Sequence, residues 1–92
     1  FFCFVDRQMG PPQWSDLGMF LQTFMLLARE AGLDTCAQEA WAMRAESVQA
    51  FTEADPDLLL FCGMAIGYRD PDAPVNALVS DREPLDVWLK AL

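Results

Sequence analysis

The sequence contains no histidine, which removes Ser-His-Asp and Cys-His nucleophile arrangements and His-containing zinc sites from the residues present. Basic residues are scarce: six Lys and Arg stand against fourteen Asp and Glu, a net charge of −8. Such a chain repels phosphate backbones and anionic membrane surfaces, so neither a nucleic-acid nor a membrane partner is expected. Cysteine is limited to Cys3, Cys36 and Cys62, too widely spaced for a CxxC pair and odd in number for a secreted disulfide framework. Reduced thiols in a cytoplasmic protein are the expected reading. No apolar run is long enough to span a bilayer, because Leu17 to Ala28 is interrupted by Gln22 and Thr23 and falls short of about 20 residues. The start lacks the basic and apolar regions of a signal peptide. There is no Walker loop and no dinucleotide fingerprint.

Acidic residues are plentiful, yet their spacing selects no pair for general acid–base work, and no catalytic residue is assigned within this chain. Asp55-Pro56-Asp57 and Asp70-Pro71-Asp72 lack the third ligand, central glycine and closing glutamate of a calcium loop, and read as turns. No metal site is expected.

Apolar residues are in excess, at 53% of 92 residues. A folded monomer of this size exposes roughly 5,400 Å² of about 15,000 Å² in the unfolded chain. So small a body cannot hide so much apolar surface. The chain is therefore expected to be a piece of a larger structure with a subunit partner.

Residues 1–6, aromatic and β-branched and closed by Gly10-Pro11-Pro12, predict a strand and turn. A helix is predicted over 15–31, capped by Ser15 or Asp16 and ended by Gly32. Its wheel carries a broad apolar face of Leu17, Phe20, Leu21, Phe24, Met25, Leu27, Ala28 and Ala31, and a narrower stripe of Met19, Leu26 and Leu33. Two apolar faces need two covers, either the chain's own sheet and a partner helix, or the interior of a larger monomer. Residues 32–43 lack periodicity and read as a loop, and a second, amphipathic helix is predicted over 44–54, ending ahead of Pro56. Residues 58–68 are apolar on both alternating faces, as in a central strand covered above and below, with Gly63 and Gly67 marking close backbone approach. Pro71, Pro74 and Pro84 make 69–92 an extended arm with a final turn over 85–92.

Two segments could bind a ligand. One is the loop Thr35 to Trp41; the other is Ser80-Asp81-Arg82, where Arg82 either clamps a phosphate with help from Ser80 or pairs with Asp81 or Glu83 at the surface.

Four runs together resemble the C-terminal half of flavin-dependent nitroreductases, in the branch that includes nitrobenzoate reductases. They are Asp16-Leu17-Gly18-Met19-Phe20-Leu21-Gln22, Leu27-Ala28-Arg29-Glu30-Ala31-Gly32-Leu33-Asp34-Thr35-Cys36, Gln38-Glu39-Ala40-Trp41, and Gly67-Tyr68-Arg69-Asp70-Pro71-Asp72-Ala73-Pro74-Val75-Asn76. The resemblance covers nearly the whole chain in order. It implies a partial α+β nitroreductase-like fold, an intertwined homodimer whose C-terminal arms extend over the neighbouring subunit, and FMN sites at the dimer interface. It further implies that Ala37, Gln38, Glu39 and Ala40 lie against the flavin ring, with a backbone N–H near Glu39 facing the flavin N5, and that Arg82, aided by Ser80, holds the FMN phosphate. The implied activity is NAD(P)H-dependent reduction of nitroaromatic or quinone-like acceptors. Two positions depart from the pattern: Ala37 stands where the family usually has proline, and Val79 where many relatives carry a basic residue. The Arg- and Ser-rich N-terminal phosphate segment of the family has no counterpart here. The chain is accordingly expected to be inactive alone, and the competing expectation is a non-catalytic dimerisation or interaction module.

Overall fold

The computed structural model describes residues 1–90. Three strands form one sheet in the order β1-β3-β2: β1 (Phe2–Asp6), β2 (Asp34–Gln38) and, between them, β3 (Leu58–Gly67). Both pairings are antiparallel. The central position of β3 follows from its composition, since Leu60, Cys62 and Met64 are all buried. The β1 register slips between Cys3 and Phe4, so that Cys3 faces Cys62 while Phe4 faces Leu60. All three cysteines are free. Burial pushes the Cys3 thiol up, and Cys62 opposite adds to the effect, which leaves it a poor nucleophile.

Helix α1 (Pro11–Glu30) lies on one face of the sheet. Its Leu21 meets Cys62 and Met64, and Cys3, Leu17, Phe24, Met25 and Phe61 close around them. Phe1 reaches the same face, with its ring edge-on to Phe24 at 5.0 Å. The helix starts four residues ahead of the expected Ser15. Gly10 is the N-cap, and Pro11 and Pro12 occupy the first turn, where a missing N–H costs nothing. Ser15 is already inside the helix and donates back to the Pro11 carbonyl at 3.4 Å. At the other end Gly32 adopts φ +81°. Gly32 N–H donates to Arg29 O and Leu33 N–H to Ala28 O, the paired bonds of a Schellman ending.

The stretch 32–43, expected as a loop, is half strand. After β2 a 3₁₀ segment (Glu39–Arg44) leads into helix α2 (Ala45–Thr52), whose Val48 is buried. Gln49 Nε2 donates to the Leu58 carbonyl at 2.8 Å and ties α2 to the start of β3. Among the described residues the arm contains only a 3₁₀ turn (Pro74–Ala77) and one helical turn, α3 (Leu85–Trp88). The last two residues of the turn expected over 85–92 lie outside the described residues.

Much apolar surface stays open. The accessible area is 7658 Å², against the roughly 5,400 Å² of a compact monomer of this length. The radius of gyration is 16.4 Å, where about 12 Å is usual. On α1 the sheet takes Leu17, Leu21, Phe24, Met25 and Ala28, while Met19, Phe20, Leu26 and Leu27 remain exposed. Along the arm Val75, Leu78, Val79, Leu85, Val87, Trp88 and Leu89 are exposed too.

Candidate functional site

The segment Ala37 to Ala40 spans the end of β2 and the opening of the 3₁₀ segment. Among the described residues β2 pairs only with β3, through Cys36↔Ala65, Ala37↔Met64 and Gln38↔Gly63. Its outer edge is open. Ala37, Glu39 and Ala40 are exposed, and Gln38 is half-buried. The 3₁₀ segment begins at Glu39 with no side-chain cap, so its first amides have no partner within the turn. An exposed, uncapped run of backbone donors fits the edge of a planar, acceptor-bearing ring such as a flavin. The donors are main-chain groups, so they do not depend on the Ala37 side chain.

Asp34 anchors the N-terminal end of β2. Its Oδ1 accepts from Arg69 Nε at 3.0 Å, Arg69 Nη2 at 2.6 Å and Arg29 Nη1 at 2.9 Å, and its Oδ2 accepts from the Arg69 backbone N–H at 3.2 Å. The Arg69 guanidinium holds the Asp34 carboxyl at about 2, well below the usual carboxylate range, and Asp34 in turn raises the Arg69 pKa. One carboxylate thus joins the end of α1, the start of β2 and the residues after β3.

Trp41 secures the other end. Its Nε1–H donates to Gln38 Oε1 at 3.0 Å, and its ring meets Phe2 edge-on at 5.4 Å. The indole lies directly on Gly63, where an added methyl group would collide with Trp41 Cδ1. Close approach at Gly63 was expected from the strand pattern, whereas Gly67 has open space around the corresponding position. An apolar cavity of about 260 Å³ adjoins this cluster, lined by Phe2, Trp41, Ser47, Val48 and Phe51.

Ser80 and Arg82 form a second, separate pair. Arg82 Nη1 donates to Ser80 Oγ at 2.7 Å and to the Asp81 carbonyl at 2.9 Å. Among the described residues Arg82 makes no ion pair with Asp81 or Glu83, so its charge is not neutralised by a carboxylate. A guanidinium beside a hydroxyl suits a phosphate. The structure brings Ala37 to Ala40 together as one segment, and Ser80 and Arg82 as another. No hydrogen bond joins the two segments. Asp34 and Arg69 stood only within the family-like runs, and Trp41 only as the last residue of the candidate loop; none was given a role from sequence. Only the glycine inside an apolar strand hinted at what Trp41 does.

The fold and the site together define an α+β scaffold with an open sheet edge, and comparison with known proteins places it. Residues 5–68 match the family described as the Nitroreductase family. The chain belongs to that family. It is 40% identical over 79 residues to a 4-nitrobenzoate reductase of Pseudomonas putida, covering 86% of this chain and 35% of the relative. It is 30% identical over 82 residues to a nitrobenzene nitroreductase of Ectopseudomonas oleovorans, covering 89% of this chain and 36% of that one. Among solved structures it superposes on the FMN- and NADPH-dependent nitroreductase NfnB of Sphigopyxis sp. strain HMH with a TM-score of 0.94 at 46% identity, over 99% of this chain and 41% of the other. It superposes on the FMN-dependent NfnB of Mycobacterium smegmatis, solved with NADPH, with the same TM-score at 25% identity, over 99% and 40%. The chain spans about a third of the length of the curated relatives it matches.

Proposed function

We propose that the protein to which this chain belongs is a cytoplasmic, homodimeric FMN-dependent oxidoreductase that uses NAD(P)H to reduce nitroaromatic or quinone-like acceptors. The observation that carries this reading is the exposed, uncapped strand-to-3₁₀ junction at Ala37 to Ala40, in a chain that superposes along its length on FMN-dependent nitroreductases. FMN, when bound, supplies hydride acceptance and donation. The chain's own residues hold and orient it. Ala37 to Ala40 would lie against the ring, with a backbone N–H near Glu39 facing N5, so that Glu39 would act through its main chain and not its carboxylate. Arg82, with Ser80, takes the phosphate. The exposed stripe of α1 and the apolar arm supply subunit contacts, which accounts for the excess apolar surface.

The protein as its gene encodes it should purify with bound FMN or take it up, and should oxidise NAD(P)H in the presence of a nitrobenzoate. A preparation that binds no added FMN and leaves NAD(P)H untouched defeats the proposal. The 92-residue chain alone should show little turnover, because it carries only part of the flavin contacts. A non-catalytic interaction module is the second reading, motivated by Ala37 and Val79, which depart from the pattern that the family resemblance implies. It requires the same helix and arm contacts with no flavin-linked change on Arg82→Ala.

A further inference from the structure

Gln38, Gly63 and Phe2 form one rung across the three strands, since Gly63 is the register partner of both Phe2 and Gln38. Trp41 sits on that rung and touches all three. Its ring meets Phe2 edge-on with planes at 85°. Its Cδ1 lies against the bare backbone of Gly63, and its Nε1–H donates to Gln38 Oε1 at 3.0 Å. The chain leaves the sheet at Gln38 and is brought back onto the same rung at Trp41. Only Glu39 and Ala40 lie between, so the peptide groups at the head of the 3₁₀ segment are held at both ends.

We propose that Trp41 is a positioning residue: seated on Gly63 and tethered to Gln38, it fixes the orientation of the Glu39 and Ala40 backbone toward the flavin. The inference rests on the flavin reading of Ala37 to Ala40. Gly63 is required because any side chain there would lift the indole off the rung. The indole N–H is required because it connects the anchored ring to the residue that opens the junction. A Trp41 that only filled space beside Phe2, Val48 and Phe51 would need neither the N–H nor Gln38.

Trp41→Phe keeps a ring over Gly63 and loses the donor; Gln38→Leu loses the acceptor. In the protein as its gene encodes it, each should lower the unfolding midpoint by no more than the single hydrogen bond it removes. Each should also weaken FMN binding about two- to tenfold, the range expected for one hydrogen bond, and shift the visible absorption band of the bound flavin. The double variant should lose no more than either single one, because both remove the same tether. Gly63→Ala should weaken FMN further. Backbone 15N relaxation without flavin gives an independent readout, in which Trp41→Phe should lower the order of the Glu39 and Ala40 amides but not of those along β1 and β3. Unchanged FMN affinity and spectrum in Trp41→Phe, or additive losses in the double variant, overturn the proposal. If the unsubstituted protein binds no FMN, the flavin reading falls. Relaxation then decides the tether by itself: lower order at Glu39 and Ala40 supports it, and unchanged order overturns it.

Discussion

Arg69 grips Asp34 from both its main chain and its side chain. The guanidinium donates twice to Oδ1, at 2.6 and 3.0 Å, and the backbone N–H donates to Oδ2 at 3.2 Å. Asp34 is also the register partner of Gly67, so the ion pair closes the last rung between β2 and β3. With Arg29 on the same carboxylate oxygen, the rung is fastened to the end of α1 as well. Because this rung starts the strand that delivers Ala37 to Ala40, its loosening should be felt at the candidate site.

Acid should reveal that contact. Asp34 is held at about 2 in the fold, below its ordinary value near 4 when unfolded. A lowered carboxylate contributes stability above the unfolded value and loses it as pH falls through the folded one. Urea denaturation of the chain between pH 5 and pH 2 should show stability falling in that window. Asp34→Asn should be weaker at neutral pH and flatter across the window. Equal slopes for the two proteins would dissociate Asp34 from the acid response.

The same substitution at the glycine inside α1 and at the glycine just past its end should have opposite signs. Gly32 holds φ +81° with no neighbour within 4 Å, so Gly32→Ala meets only backbone strain and should cost about 1–2 kcal/mol. Gly18 is inside the helix with equally open surroundings, and Gly18→Ala should gain about 0.5–1 kcal/mol from helix propensity. Chemical denaturation of both variants of the chain measures the pair.

Two leucines on opposite sides of α1 separate core from interface. Leu21 is buried against Cys62 and Met64, so Leu21→Ala should cost about 2–5 kcal/mol. Leu26 is 61% exposed, and Leu26→Ala should stay within about 0.5 kcal/mol for the chain by itself. Leu26→Asp should instead lower the sedimenting mass of the assembled protein, given that the exposed stripe is a subunit contact. An unchanged mass would assign Leu26 to ordinary surface.

Arg82 should matter to the flavin and not to the fold. It is exposed and, among the described residues, bonded only within the arm. Loss of a charge-assisted phosphate contact is worth about 1.5–3 kcal/mol, so Arg82→Ala should weaken FMN about ten- to a hundredfold in a fluorescence titration. Ser80→Ala should weaken it less. The flavin-free protein should keep its unfolding midpoint in both cases.

Patterning made several elements legible. Phe1 to Val5 and Leu58 to Tyr68 carry strand composition, and Gly32 marks the end of α1, because burial and left-handed backbone both leave residue-type signatures. The start of α1 was obscured, since Pro11 and Pro12 suit a turn as well as a first helical turn. Strand β2 was invisible for a different reason. Asp34-Thr35-Cys36-Ala37-Gln38 has no apolar alternation, and it is extended because β3 offers it a ladder. Residue pattern and family resemblance made Ala37 to Ala40 and the Ser80–Arg82 pair candidates, but Gly63 and Arg69, which help to hold the junction in place, are remote in sequence from Trp41 and Asp34.

The sequence by itself determined that this chain carries more apolar surface than 92 residues can bury, that its chemistry excludes histidine-dependent sites, and that its motifs are those of the nitroreductase family. Those properties follow from residue type and order. Tertiary structure decided which face of α1 the sheet covers and which stays open, and it assigned the seat of Trp41 to Gly63. It also gave Asp34 two arginine partners from different elements, Arg29 and Arg69. These depend on strand register and helix placement, which bring distant residues within contact range and which no local pattern encodes.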